Sequence, residues 1–285
     1  FALEDSGQTD KARQLWRDLI PLAKLRFQRE ALELALAINL EQAGLVNDVF
    51  ADDSPVQNAA LRAILLQSTA GADLLRAQAQ NQATGGALRD TALYTLLYKE
   101  LTRSHYADFI ADAALVSGTP ADPLKPFVAP GTRNEDGYTC PSARDIAATL
   151  QQNPGDSKGL NCLADFVRLH PPASGLESDP VPPWMRNASS TSSTRVPPTL
   201  GASPSQFAGK PYARMSSYAT VMADAQANPN DRAYAFYRAI KCYAPGGSNE
   251  CGGKDVPKST RKRWFDTLKT AYPGSPWAQK LRYYW

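Results

Sequence analysis

A five-residue phrase, Leu3-Glu4-Asp5-Ser6-Gly7, is echoed 37 residues later by Leu40-Glu41-Gln42-Ala43-Gly44. Each copy closes an apolar helical run with a glycine, the residue that accepts the left-handed backbone of a helix end at least cost. A helix end and tight turn recurring at this interval has the period of a stacked helical hairpin. The phrase therefore constrains the chain towards an extended helical scaffold, a form that works by binding.

The rest of the first ~115 residues agrees with this reading. Apolar residues follow helical spacing at Ala12, Leu15 and Leu19, at Leu32, Leu36 and Leu40, at Leu61, Leu65 and Leu66, and at Leu93, Leu97 and Leu101. Breaks fall at Pro21, Gly44, Ser54-Pro55, Gly71 and Gly85-Gly86. Ser54-Pro55 reads as an N-cap with proline in the first helical position, and Asp52-Asp53 before it reads as a pair of anions at the same helix start. Short connections make neighbouring helices antiparallel, and strand-like alternation is absent.

Two proline-rich stretches interrupt the pattern. Pro120, Pro123, Pro126 and Pro130 exclude a continuous helix between Ser117 and Pro141. Helices are predicted over Ser142 to Gln152 and Ser157 to His170. Pro171 to Pro211 then holds nine of the 22 prolines and the run Ser189 to Thr194. Such a segment stays ordered only if the helical body or a partner holds it down, and it is the candidate for an arm. Helix is predicted again over Pro211 to Ala227, Asp231 to Tyr243, Pro257 to Tyr272 and Ser275 to about Tyr284. Phe265, Leu268 and Tyr272 form one apolar stripe there, and Trp277, Leu281 and Tyr284 form another. The chain thus divides into hairpin repeats over 1–116, short helices with extended segments over 117–210, and a helical return over 211–285.

Hydrophobic residues make up 43% of the chain, charged residues 21%, and the net charge is +3. That balance sets up no field that selects nucleic acid or anionic lipid. No run approaches the ~20 apolar residues that span a bilayer as a helix. Phe1 is not an initiator methionine and the opening residues resemble a helix tail, so the chain reads as a processed or truncated part of a longer protein. Cys140, Cys162, Cys242 and Cys251 contain no C-x-x-C pair, which disfavours zinc ribbons and thioredoxin-like chemistry. Four cysteines allow three connectivities. Local pairing of Cys140 with Cys162 and of Cys242 with Cys251 is expected, because each lies beside a turn. The alternative is four reduced thiols in a cytosolic adaptor. The even count and the loop placement point to an oxidising compartment, the periplasm or the exterior.

Gly7, Ala12 and Trp16 have the spacing of the tetratricopeptide-repeat signature: a turn glycine, a small residue five later and an aromatic four beyond that. Gly44 and Val49 repeat it, with Asp53 where the aromatic would stand. Phe265 and Pro273 have the family's aromatic-to-proline spacing, with Arg261 in place of its small residue. Phe265 to Tyr284, including Tyr272-Pro273-Gly274-Ser275-Pro276-Trp277-Ala278, resembles the inter-repeat junctions of bacterial envelope tetratricopeptide proteins such as the outer-membrane assembly lipoproteins. The resemblance covers about a third of the chain. It implies an all-α, irregular right-handed superhelix of antiparallel hairpins with two long ordered Pro-rich loops, whose concave face binds protein.

No motif for a reaction stands out. H-E-x-x-H, G-x-S-x-G, Walker and G-x-G-x-x-G patterns are absent. The two histidines are isolated, His105 in a helical stretch and His170 at a helix end, so no catalytic residue, metal ligand or cofactor site is assigned. Glu177-Ser178 matches the Glu-Ser pair of lytic transglycosylases but lies in a Pro-rich loop. Asn187-Ala188-Ser189 fits the glycosylation pattern weakly.

What remains is a partner surface. Lys258, Arg261, Lys262 and Arg263 cluster beside Trp264, and the chain closes on Tyr283, Tyr284 and Trp285. A basic helix face is a docking site for an acidic partner, and large aromatics are the side chains that dominate interface energies. The sequence thus predicts a non-enzymatic periplasmic scaffold or accessory subunit that binds other envelope proteins, not nucleic acid, with any membrane association arising through a partner or a missing amino-terminal anchor. The other reading is a helical accessory domain of a longer cell-wall-modifying enzyme.

Overall fold

The computed structural model describes residues 2–172, 176 and 199–285. Helices dominate: α1 (Ala2–Asp5), α2 (Thr9–Leu19), α3 (Arg26–Gln42), α4 (Ala59–Ser68), α5 (Ala72–Gln80), α6 (Gly86–Thr102), α7 (Tyr106–Asp112) and α8 (Lys125–Val128) come first. A two-residue ladder follows, β1 (Thr132–Arg133) antiparallel to β2 (Thr139–Cys140), with Thr132 opposite Cys140. Then come α9 (Ala143–Gln152), α10 (Ser157–Leu169), α11 (Arg214–Ala223), α12 (Pro229–Lys241), α13 (Lys258–Ala271) and α14 (Pro276–Lys280). The chain forms two compact units, one of residues 1–99 and 173–209, the other of residues 100–172 and 210–285. The stretch 117–210 contributes to both.

Both copies of the opening phrase close a helix in the same way. Gly7 and Gly44 have φ of 77° and 74°. The amide after each glycine returns to the carbonyl of the phrase's leucine, Gln8 to Leu3 and Leu45 to Leu40, at 2.8 Å in each case. These bonds satisfy carbonyls that the helix end leaves without an intrahelical donor.

In the first unit, α2 turns Ala12 and Trp16 inward, followed by Ile20, against Leu36, Ala37 and Leu40 of α3. Leu15 and Leu19, which share the helical spacing with Ala12, are 45% and 37% exposed. The buried stripe runs through positions four apart, led by the indole, and leaves those leucines on the flank. The expected helix start at Ser54-Pro55 is also displaced. Glu33 of α3 is buried, and its Oε2 accepts the amides of Gln57 (2.9 Å) and Asn58 (2.7 Å). Those bonds hold an extended approach, so α4 begins only at Ala59, capped by the Asn58 side chain. Asp52 and Asp53 therefore lie short of any helix start.

In the second unit, α12 is the central element, with Ala233 through Ile240 all buried. The expected disulfides are both present: Cys140 of β2 joins Cys162 of α10, and Cys242 after α12 joins Cys251. Ser142 caps α9 and Ser275 caps α14, each through its side-chain oxygen. The predicted helix to Tyr284 stops at Lys280, where Leu281 takes an extended backbone and is buried. No helix among the described residues is long and apolar enough to cross a membrane.

Candidate functional site: a cation–aromatic face

Helix α13 carries Lys258, Lys262, Phe265 and Lys269 at intervals of four, three and four, which places them along one side of a helix. The extended tail after Lys280 returns over this stripe. The Lys258 ammonium lies 5.4 Å from the Tyr283 ring centre and 5.7 Å from that of Tyr284, and it donates to the Tyr283 hydroxyl at 3.2 Å. Lys262 lies 5.9 Å from the Tyr284 ring, which is 5.6 Å from the ring of Phe265. Tyr283 stacks with Tyr284 at 5.3 Å and meets Trp285 edge-on at 5.8 Å, while Lys241 of α12 lies 5.7 Å from the Trp285 ring. An ammonium above an aromatic face is held by the ring's quadrupole while its remaining N–H groups stay available.

The structure therefore brings Lys258, Lys262, Tyr283, Tyr284 and Trp285 into one surface. Arg261 does not belong to it. Its guanidinium lies 3.9 Å from the Tyr243 ring, donates to the Gly247 carbonyl at 3.1 Å and is buried. Helical spacing alone would set it beside Lys258 and Phe265; it faces inward because its side chain packs on the disulfide loop from Cys242 to Cys251. Arg263 is exposed and bonds the Thr260 hydroxyl, and Trp264 is half-buried. Lys241, Phe265 and Lys269 complete the face and were not expected as site residues, although the helical spacing from Lys258 points to the latter two.

Charge adds to this geometry. Residues 241–285 hold nine Lys and Arg against three Asp and Glu, a formal +6, whereas the whole chain carries +3. The excess positive charge lies in the stretch of sequence that supplies the face. A hydrogen bond from Lys262 to Asp266, with the charge of that carboxylate, raises the Lys262 pKa.

A buried polar network also lies in the second unit. Tyr138 and Tyr234 stack with ring centres 3.8 Å apart, and Lys158 caps the Tyr138 ring at 3.7 Å. The Tyr138 hydroxyl donates to Asp231 at 2.7 Å; that of Tyr234 donates to Asp165 at 2.6 Å. Asp165 also accepts from Asn134 and from Arg168, which forks onto Glu135 at 2.6 and 3.0 Å. Burial and then the adjacent carboxylate push both tyrosine pKa values far up. Burial pushes Lys158 down. Trp277 packs edge-on to Tyr138 and Tyr234, and Lys280 donates to the Asp136 carbonyl, so α14, which launches the tail, is tied to the network.

The remaining sequence candidates lie elsewhere. His105 precedes α7 with its imidazole 3.6 Å from Asp108, and is not inside a helix as expected. His170 ends α10 with its ring 5.1 Å from Phe166, and burial lowers its pKa. Glu177-Ser178 and Asn187-Ala188-Ser189 fall outside the described residues. In the first unit, an open groove of about 420 Å³ is lined by Leu19, Leu22, Phe27 and Leu32, with Leu22 70% and Phe27 66% exposed. Comparison with protein families, with characterised proteins and with solved structures returned no match to this chain.

Proposed function

We propose that this chain is a non-enzymatic, tetratricopeptide-like scaffold of the bacterial periplasm, and that its cation–aromatic face docks an acidic segment of another envelope protein. The carrying observation is the face itself: lysines arrayed along α13 against the Tyr283-Tyr284-Trp285 tail, in a region with a formal +6. Exposed ammoniums beside aromatic faces offer carboxylates both charge and apolar contact. The two disulfides favour an oxidising compartment. Ala12 and Trp16, placed inward on a hairpin helix, fit the repeat reading. The open apolar groove of the first unit adds a second exposed surface of the kind that marks interaction.

Charge reversal at Lys258 and Lys262 tests this reading. The double glutamate variant keeps its circular dichroism spectrum but no longer recovers a partner from envelope extracts. Wild-type recovery falls as salt rises, because exposed charges are screened. Equal recovery by both proteins at low and high salt would exclude the face as the docking site.

A further inference from the structure

Within the first unit, Thr199 to Gly209 lies outside any helix; it turns at Leu200 and Gly201, where the Ala202 amide returns to the Thr199 carbonyl, and bends again from Phe207 to Gly209. Burial alternates from Gly201 to Ala208. Gly201, Ser203 and Ser205 are half-buried and Phe207 is buried, while Ala202, Pro204, Gln206 and Ala208 are exposed. A period of two is the pattern of an extended peptide seated in a groove, with alternate side chains directed inward.

The groove holds this segment by backbone amides and by the side chains of Ser205, Gln206 and Phe207, Lys99 donating to the Ser205 hydroxyl at 3.4 Å. The buried Glu41 carboxylate accepts the amides of Gly201 (2.8 Å) and Ser203 (3.0 Å). The Thr69 carbonyl accepts the Gln206 amide at 2.8 Å, and the Gly44 carbonyl accepts the Gln206 side chain at 3.0 Å. Gly201 has φ of 84°, and a Cβ there would lie 3.0 Å from Ile64 and 3.1 Å from Ser68, so this stretch of backbone rides directly on α4. Only Phe207 enters a deep pocket, among Leu66, Ala70, Leu75, Ala92 and Leu96. The core of α2 and α3 closes with no more than Leu200 of the segment at its edge.

Main-chain hydrogen bonds with one aromatic anchor are how a site recognises a class of extended peptide. We infer that the surface formed by α3 to α6 is a peptide-binding groove that the chain fills in cis with Thr199 to Gly209. Its ligand in trans is an extended segment of a partner protein with small residues at alternate positions and then an aromatic, as in Gly201-x-Ser203-x-Ser205-x-Phe207. The tethered copy competes at an effective concentration on the order of millimolar, so the groove admits a partner only when the segment lets go. This surface is distinct from the cation–aromatic face, and either can fail without the other.

Two measurements on the full chain test it. In the wild type, the amides of Gly201, Ser203 and Gln206 exchange with solvent at least about tenfold faster than those of α3 and α4, because the segment opens locally. In the Phe207→Ala variant, a labelled synthetic peptide of the 199–209 sequence binds saturably at one site, while the same peptide carrying Phe207→Ala does not bind, and the wild-type chain binds the native peptide at least about tenfold more weakly than the variant does. A folded variant that binds no peptide overturns the inference. Exchange of the segment's amides at the rate of the helices does so as well, and decides the matter if the variant fails to fold.

Discussion

The two units bury carboxylates for opposite purposes. In the first, Glu33 and Glu41, each 3% exposed, accept main-chain amides of segments outside the helices. In the second, Asp165 and Asp231 accept from the side chains of Tyr234, Asn134, Arg168 and Tyr138. A carboxylate that grips backbone fixes the path of a chain whatever its residues, whereas one that grips phenols fixes which aromatic packs where. The first unit contains no cysteine; the second is closed by both disulfides. A unit that seats an extended segment by its main chain tolerates local opening. The unit that displays a fixed constellation of lysines and rings is cross-linked against it.

The hardest test of this contrast is Asp165→Ala. The change leaves the Tyr234 hydroxyl without its acceptor, takes one of two acceptors from the Asn134 amide and removes one partner of Arg168. Breaking a buried, charged network in this way costs about 4 kcal/mol. Thermal unfolding followed by circular dichroism should show a lowered transition for the second unit and an unchanged one for the first. If both transitions drop together, the two units do not melt independently and the contrast loses its energetic meaning. The next largest effect comes from Cys140→Ser with Cys162→Ser. Opening a loop with a sequence separation of 22 residues removes about 3 kcal/mol in the chain-entropy model. Reductant should therefore lower the second unit's transition further in the wild type than in the double variant, which keeps only the Cys242–Cys251 bond.

How much of this was legible in the chain follows from the range of each interaction. The phrase ending in Gly7 and Gly44 could be read because a helix end is local: glycine and the carbonyls it frees lie within six residues. The cysteine pairs could be read because their partners are near in sequence. Which side of α2 turns inward was not legible from periodicity, because Leu15 and Leu19 fit a helical spacing as well as Trp16 does and only packing against α3 decides between them. The start of α4 was misjudged because Glu33, more than twenty residues upstream, controls it. Lys258, Lys262 and the terminal aromatics were visible as composition. That Arg261 turns inward onto Tyr243 was not, since it depends on where the disulfide loop lies. The seat of Thr199 to Gly209 was least legible of all, because Glu41 reaches it across 160 residues of chain.

The finest test of the contrast concerns charge rather than contact. Glu33→Gln keeps an oxygen that can accept from Gln57 and Asn58, since one oxygen, Oε2, takes both amides in the wild type. What is lost is the charge on that oxygen, and hydrogen bonds to an ionised acceptor are roughly twice as strong as neutral ones. Arg62 also loses support: burial lowers its pKa, the Glu33 charge opposes that shift, and its Nε donates to the Val56 carbonyl at 2.8 Å in the segment that Glu33 holds. The substitution should cost about 1 kcal/mol, read as a lower urea midpoint for the first unit with an unchanged slope. It should also speed amide exchange at Gln57 and Asn58 more than anywhere in α3. If the midpoint does not move, position alone makes the clamp, and the first unit's carboxylates differ from those of the second only in what they face.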